Sequence, residues 1–291
     1  MTGAMEHRPA SAPSDESRGS EGAPEEHPEA HGFGQRRGRL RVELAVIAAL
    51  LVALPFGVVS GARALAARMA LELPPSMDVA LGQPTWEALQ HSGERCVSSE
   101  GDAYLKRLTE PLLAQLGATP FQFRFMLAKS DDVNAFALPG GFVVVNAGLL
   151  REAQSGDEIA AVLAHELSHV TLRHSTKRLA GSLGAGAALA TVLGVVDLGA
   201  PAYTVAHLAG LGYERDQESE ADVEGRGLLR RAGISPLAMA AFFERLGSLA
   251  QPPEILSTHP DPGDRAASAR IEAEGFQAWL SLPAPPPVSC D

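Results

Sequence analysis

Two histidines four residues apart with a glutamate between them, His165, Glu166 and His169, have the side chains and spacing best suited to chemistry in this 291-residue sequence. On a helix, residues four apart share one face, about 6 Å from each other. Both imidazoles can then offer a nitrogen to one ion, and Glu166, one step round, can reach a water at that ion and act as its base. H-E-x-x-H alone also arises by chance on solvated helices, so a further donor is required. A catalytic zinc needs a third protein ligand and an open position. A third histidine in the extended pattern would fall at Ser175, and the glycine expected before it is Leu172, so that pattern is absent. Glu214 to Gly225 reads E-R-D-Q-E-S-E-A-D-V-E-G, with Glu218 and Asp222 four apart. Taken alone this is an acidic solvated helix face. Beside H-E-x-x-H, Glu218 can ligate and Asp222 can orient a ligand imidazole through its far nitrogen.

The elements that must carry these residues follow from pattern. Thr85 to Leu116 reads as helical, with Leu105, Leu108, Leu112, Leu113 and Leu116 at helical spacing. Phe121 to Ala128 alternates as a strand, and Pro139, Gly140 and Gly141 between two apolar runs predict a hairpin whose second strand is Phe142 to Val145. Helices follow: Asp157 caps one running through His174, Ser235 and Pro236 start another, and Asp261 and Pro262 start a third. The predicted fold class is α+β, a mainly helical domain over 85–277 with a small antiparallel sheet. An extended substrate would add to the edge of the second hairpin strand, at Gly141, Phe142, Val143 and Val144.

Four blocks in order carry a resemblance over residues 105–276: N-A-F-A-L-P-G-G from Asn134, H-E-L-S-H from His165, E-S-E-A-D from Glu218, and S-T-H-P from Ser257 with Arg265 beyond. In these the sequence resembles the gluzincin-type zinc metallopeptidases, the family of HtpX, BepA and the CAAX prenyl protease. The resemblance implies a zincin-like domain holding one zinc ion per chain on His165, His169 and Glu218, with Glu166 as catalytic base and Asp222 supporting a ligating histidine. His259, in the S-T-H-P block, has three readings: a donor to the oxyanion, an occupant of the open zinc position at rest, or a side chain packing a turn. Tyr213 is a weaker candidate for the donor role, and His174 reads as capping or packing.

The flanking sequence sets the cellular context. Residues 1–43 form a polar, Pro- and Glu-rich tail that cannot offset its ordering entropy, with Arg36, Arg37, Arg39 and Arg41 at its end. Leu44 to Ala62 carries no charge over a length that matches the ~30 Å hydrocarbon core. It reads as an uncleaved anchor, with a core helix or signal peptide as alternatives. The arginine bias places the tail in the cytoplasm and the main domain beyond the cytoplasmic membrane. Residues 63–84 read as a linker and 278–291 as a loose Pro-rich tail. Leu179 to Val196 is long and apolar enough to raise a second span, but a single crossing would part His165 from Glu218 and Ala202 to Tyr213 is too short to return, so Leu179 to Gly212 reads as a buried or membrane-apposed helical hairpin. In an oxidising space Cys96 and Cys290 could pair. A net charge of −11 excludes the basic face of a nucleic-acid binder, and the oligomeric state is left open. The expected function is hydrolysis of peptide bonds in misfolded or envelope polypeptides. A non-proteolytic chaperone on the same zinc fold is the main rival, ahead of a membrane-embedded prenyl-protein processing enzyme and a plain tether.

Overall fold

The computed structural model describes residues 41–54, 56–58, 60–61, 72–183, 213–248, 253–259 and 262–290. The polar tail through residue 40 and most of the apolar run 179–212, beyond residue 183, lie outside the described residues. The chain divides into two units, Met1–Pro55 and Phe56–Asp291. An apolar helix, α1 (Arg41–Val58), begins in the first and has a mean hydropathy of 2.0 over 18 residues. Among the described residues it is the one helix long and apolar enough to cross a membrane.

The next helix, α2 (Pro75–His91), starts inside the stretch read as linker and runs past its end. The prolines that suggested a linker fit here because Pro75 occupies the first helical position, where its missing N–H costs nothing. The helix expected over Thr85 to Leu116 is two helices. Gly93, at φ +80°, turns the chain after α2, and α3 (Ser99–Leu113) starts afresh with Ser98 Oγ accepting from Gly101 N–H at 3.1 Å.

Three strands follow: β1 (Arg124–Ala128), β2 (Ala135–Leu138) and β3 (Phe142–Asn146). The hairpin is present, since β2 and β3 pair antiparallel with Ala137 opposite Val143. The expected antiparallel sheet, however, is mixed. β1 pairs parallel to β3, Phe125 opposite Val143, and the strand order is β1-β3-β2. Turn signals specify a hairpin but carry no information about which edge a preceding strand joins. β3 is thus central and fully buried, which explains its unbroken apolar run. Its Val143 and Val145 pack into the core with Leu105, Leu108, Ile159 and Leu163. On the other face, Phe142 and Val144 pack with Leu81 and Trp86 of α2.

The short α4 (Ala147–Glu152) leads to α5 (Gly156–Thr171). Ser155, rather than Asp157, caps α5, its Oγ accepting from Glu158 N–H at 3.2 Å. The helix stops before His174, because Arg173 adopts φ +58° and starts α6 (His174–Leu183) on a new axis. Then come α7 (Arg215–Arg231), α8 (Leu237–Gly247), α9 (Glu254–Thr258) and α10 (Pro262–Ala273). α7 lies against α5, where a Cβ on Gly225 would meet His165 N at 3.2 Å. That is tighter than most contacts a Cβ makes, so a side chain there would require the helices to give by a few tenths of an ångström.

The stretch read as a loose Pro-rich tail packs on the domain. Leu282 is buried and donates its N–H to Asp157 Oδ1 at 2.7 Å at the start of α5, and Tyr104 Oη donates to Pro283 O at 2.9 Å. Cys290 forms a disulfide with Cys96, 194 residues away. A cross-link closing so long a loop restricts the unfolded chain strongly, so replacing both cysteines with serine should lower the unfolding free energy by about 2–5 kcal/mol. Urea unfolding of wild type and variant, both purified under oxidising conditions, measures this. A thiol titre of two in the denatured wild-type protein would contradict the cross-link.

Candidate metal centre

The chemistry predicted from spacing is assembled by three segments. α5 presents His165, Glu166 and His169 on its buried side, α7 presents Glu218 and Asp222, and His259 follows the single turn of α9. All six residues are 4% exposed or less. The Nε2 atoms of His165 and His169 face each other at 2.9 Å. His259 Nδ1 lies 2.8 Å from Glu218 Oε1 and 3.2 Å from His165 Nε2, while Glu218 Oε1 is 3.3 Å from His169 Nε2. One donor atom from each of His165, His169, Glu218 and His259 falls within 4.8 Å of the other three.

These donors fit a divalent cation. Imidazole nitrogens facing at 2.9 Å share at most one proton, and buried Glu218 Oε2 has no hydrogen-bond partner among the described residues. Lone pairs so converged repel unless a positive charge sits among them, and three nitrogens with one carboxylate oxygen are a set suited to zinc. Both oxygens of Glu166 also lack hydrogen bonds, although His259 Nε2 stands 3.4 Å from Oε1.

Arg265, near the start of α10, closes the back of the cluster. It donates through Nε and Nη2 to both oxygens of Asp222, at 2.8 and 2.7 Å, and its Nη1 is 3.4 Å from Glu218 Oε2. Asp222 Oδ1 in turn lies 2.9 Å from His165 Nδ1, so Asp222 pairs with the imidazole of His165. Arg265 was visible in the sequence only as the end of a block and had no role assigned. Burial penalises every charge here. It pushes the Glu166 carboxyl up, against His259 and His165. Burial opposes charge on Asp222 too, but hydrogen bonding and charge from His165, then Arg265, hold its carboxyl well below the usual range.

Tyr213 stacks on the His169 ring, centroids 3.7 Å apart, and its hydroxyl meets Ser175 Oγ at 2.9 Å. Burial pushes that phenol up to about 12, so it keeps its proton. His174, read as a cap or packing residue, instead faces His169, Nδ1 to Nδ1 at 2.8 Å. A cavity of about 210 Å³, lined by Arg215, Glu218, Asp222, Arg226 and Arg265 among others, opens onto the carboxylates of α7.

The substrate strand needs correction. Gly141, Phe142, Val143 and Val144 are buried, and β3 is paired on both sides, by β1 and by β2, so no peptide can add to it. The sheet edge beside the cluster belongs to β2, where the Ala137 carbonyl accepts from Ser175 Oγ at 3.0 Å and the Ala137 backbone lowers the Glu166 carboxyl somewhat. Sequence alone did not reveal this, because an apolar run reads the same for a central strand and for an edge.

Comparison with known proteins agrees with this geometry. The beta-barrel assembly-enhancing protease of Escherichia coli (strain K12) is 33% identical over 195 residues, covering 61% of this chain and 40% of that protein. Metalloprotease LoiP of the same organism is 32% identical over 198 residues, 62% of this chain and 76% of LoiP. The mitochondrial metalloendopeptidase OMA1 of Schizosaccharomyces pombe is 29% identical over 202 residues, 67% of this chain and 58% of OMA1. The chain thus spans well under half the length of the first of these relatives. The profile of Peptidase family M48 matches residues 99–273, more than half of the chain and every residue of the cluster, and the chain belongs to that family.

Proposed function

We propose that the chain is a zinc-dependent endopeptidase, anchored by α1, that hydrolyses peptide bonds in envelope proteins as part of their quality control. The observation that carries the reading is the convergence of His165, His169 and Glu218 beside the buried carboxylate of Glu166. His165, His169 and Glu218 would hold the ion. When bound there, zinc supplies a positive charge that acidifies water and polarises a peptide carbonyl. Glu166 does the proton work: one of its carboxylate oxygens takes the proton of the attacking water and passes it to the departing peptide nitrogen. Its raised affinity for a proton, from burial, suits a group that must accept and then release one. Asp222, fixed by Arg265, holds His165 Nδ1 so that Nε2 keeps its aim. A substrate extended along β2 would place its carbonyl next to Glu166 without demanding a particular sequence.

The location rests on separate support. α1 has the length and hydropathy of a span, and the Cys96–Cys290 bond belongs to an oxidising compartment, which favours the extracytoplasmic side. A relative named as a beta-barrel assembly-enhancing protease supports envelope proteins as the substrate class.

Glu166→Gln should retain zinc and fold while losing casein cleavage by at least about 100-fold, since the carboxylate only moves a proton. Unchanged turnover would remove Glu166 as the base, and a wild-type protein that binds zinc yet cleaves nothing would favour the chaperone reading. Glu218→Ala should lower both zinc content and melting temperature, because the ion joins α5 to α7. Full occupancy in that variant would place the third ligand elsewhere. His259 stands within the donor cluster, which favours its reading as an occupant of the fourth position at rest. His259→Ala should then keep its zinc and maintain or raise kcat. A fall of about 100-fold in kcat at constant KM would instead assign His259 to the oxyanion.

A further inference from the structure

Behind the donor cluster, the reversal between α5 and α6 brings up a side chain that the mechanism has not used. His174 is fully buried. One ring nitrogen, Nδ1, faces His169 Nδ1 at 2.8 Å, and the other, Nε2, faces Glu220 Oε2 at 3.2 Å. Glu220 belongs to α7, between Glu218 and Asp222, but lies off the buried face with its side chain 57% exposed. A row of groups therefore runs from the cluster to solvent.

Hydrogen-bond chemistry fixes the order of protons along this row. His169 turns Nε2 to the cluster, where it must offer a lone pair, so a neutral His169 carries its proton on Nδ1. That proton can only be donated to His174 Nδ1, which must be bare. His174 then carries its own proton on Nε2, opposite a carboxylate oxygen that accepts it. No other arrangement of neutral rings gives every contact one donor and one acceptor. The backbone fixes where His174 sits. The turn that delivers His174 depends on Arg173 at φ +58°, a conformation unfavourable for a residue with a side chain. Arg173 is held there by Nε and Nη2 donating to both oxygens of buried Asp78, at 3.1 and 2.5 Å.

We infer that His174 and Glu220 are positioning residues of the metal centre, a hydrogen-bond chain that locks His169 in the tautomer whose Nε2 lone pair faces the donor cluster. α7 then serves both ligand histidines from behind: Asp222 backs His165 directly, and Glu220 backs His169 through His174. This deepens the proposed function and rests on its metal reading.

The test uses the full-length chain, zinc as the probe and a competing chromophoric chelator. Glu220 is exposed, so its variants should fold even if changes at His174 do not. Glu220→Ala should weaken zinc binding by about 10-fold or more, with the melting temperature in excess chelator unchanged. Glu220→Gln, whose amide oxygen still accepts from Nε2–H, should recover most of that affinity. In zinc-loaded protein with nitrogen-15-labelled histidine, His174 should resonate as the Nε2–H tautomer. Wild-type protein that binds no zinc would overturn the metal reading and the chain with it. Given zinc binding by the wild type, equal affinity in Glu220→Ala would overturn the chain alone. So would Glu220→Gln binding no tighter than Glu220→Ala, a parallel loss of melting temperature in chelator, or an Nδ1–H tautomer at His174.

Discussion

Seven ionisable residues, His165, Glu166, His169, Glu218, Asp222, His259 and Arg265, share one interior, each 5% exposed or less. Removing such groups from water costs several kcal/mol per charge unless each meets an opposite charge or a hydrogen-bond partner. That requirement governs the rest of the domain. Arg265 answers Asp222 through two hydrogen bonds and approaches Glu218, while its guanidinium lies 4.0 Å over the Phe243 ring. Helices α5, α7 and α10 must all be in place at once for any of them to bury its polar residues. Their small residues permit it: Ala164, Ala221 and Gly225 line the contact of α5 with α7.

What remains uncompensated within this interior is informative. Glu218 Oε2 and both oxygens of Glu166 are buried without hydrogen bonds. Asp222 is answered by two hydrogen bonds from Arg265, whereas Glu166 has His259 Nε2 at 3.4 Å and no closer side-chain partner among the described residues. The sheet and the C-terminal stretch serve the same end from outside. β2 sets a backbone edge beside Glu166, and residues 282–290 run back over the N-terminus of α5 to the Cys96–Cys290 bond. A helix fixed at its start, against α7 along its length, and through Arg173 to Asp78 just past its end holds its histidines with little freedom.

Much of this could be read from the sequence. His165, Glu166, His169, Glu218 and Asp222 were legible because the four-residue spacing on a helix projects directly into space, and Pro262 marked the start of α10. What was illegible depended on tertiary choice. Nothing local tells β1 to join β3 in parallel, so the sheet read as antiparallel and β3 as an edge. The α5 pattern ran on to His174 because a positive φ at Arg173 has no signature in a residue type that rarely adopts it. Glu220 read as part of an acidic helix face, and Arg265 as the end of a block without a role, until His174 and Asp222 were seen beside them. The packing of the C-terminal stretch was equally hidden, since Leu282 to Pro287 has the composition of a linker and is ordered by distant partners, Asp157 and Tyr104.

One zinc ion is expected among these particular donors. Anomalous diffraction at the zinc edge, from crystals of the full-length chain loaded with one equivalent of zinc, locates it. A single peak bounded by the Nε2 atoms of His165 and His169 and the carboxylate of Glu218 is the predicted result. A peak elsewhere in the chain, or none at that position with zinc present in the crystal, would contradict it.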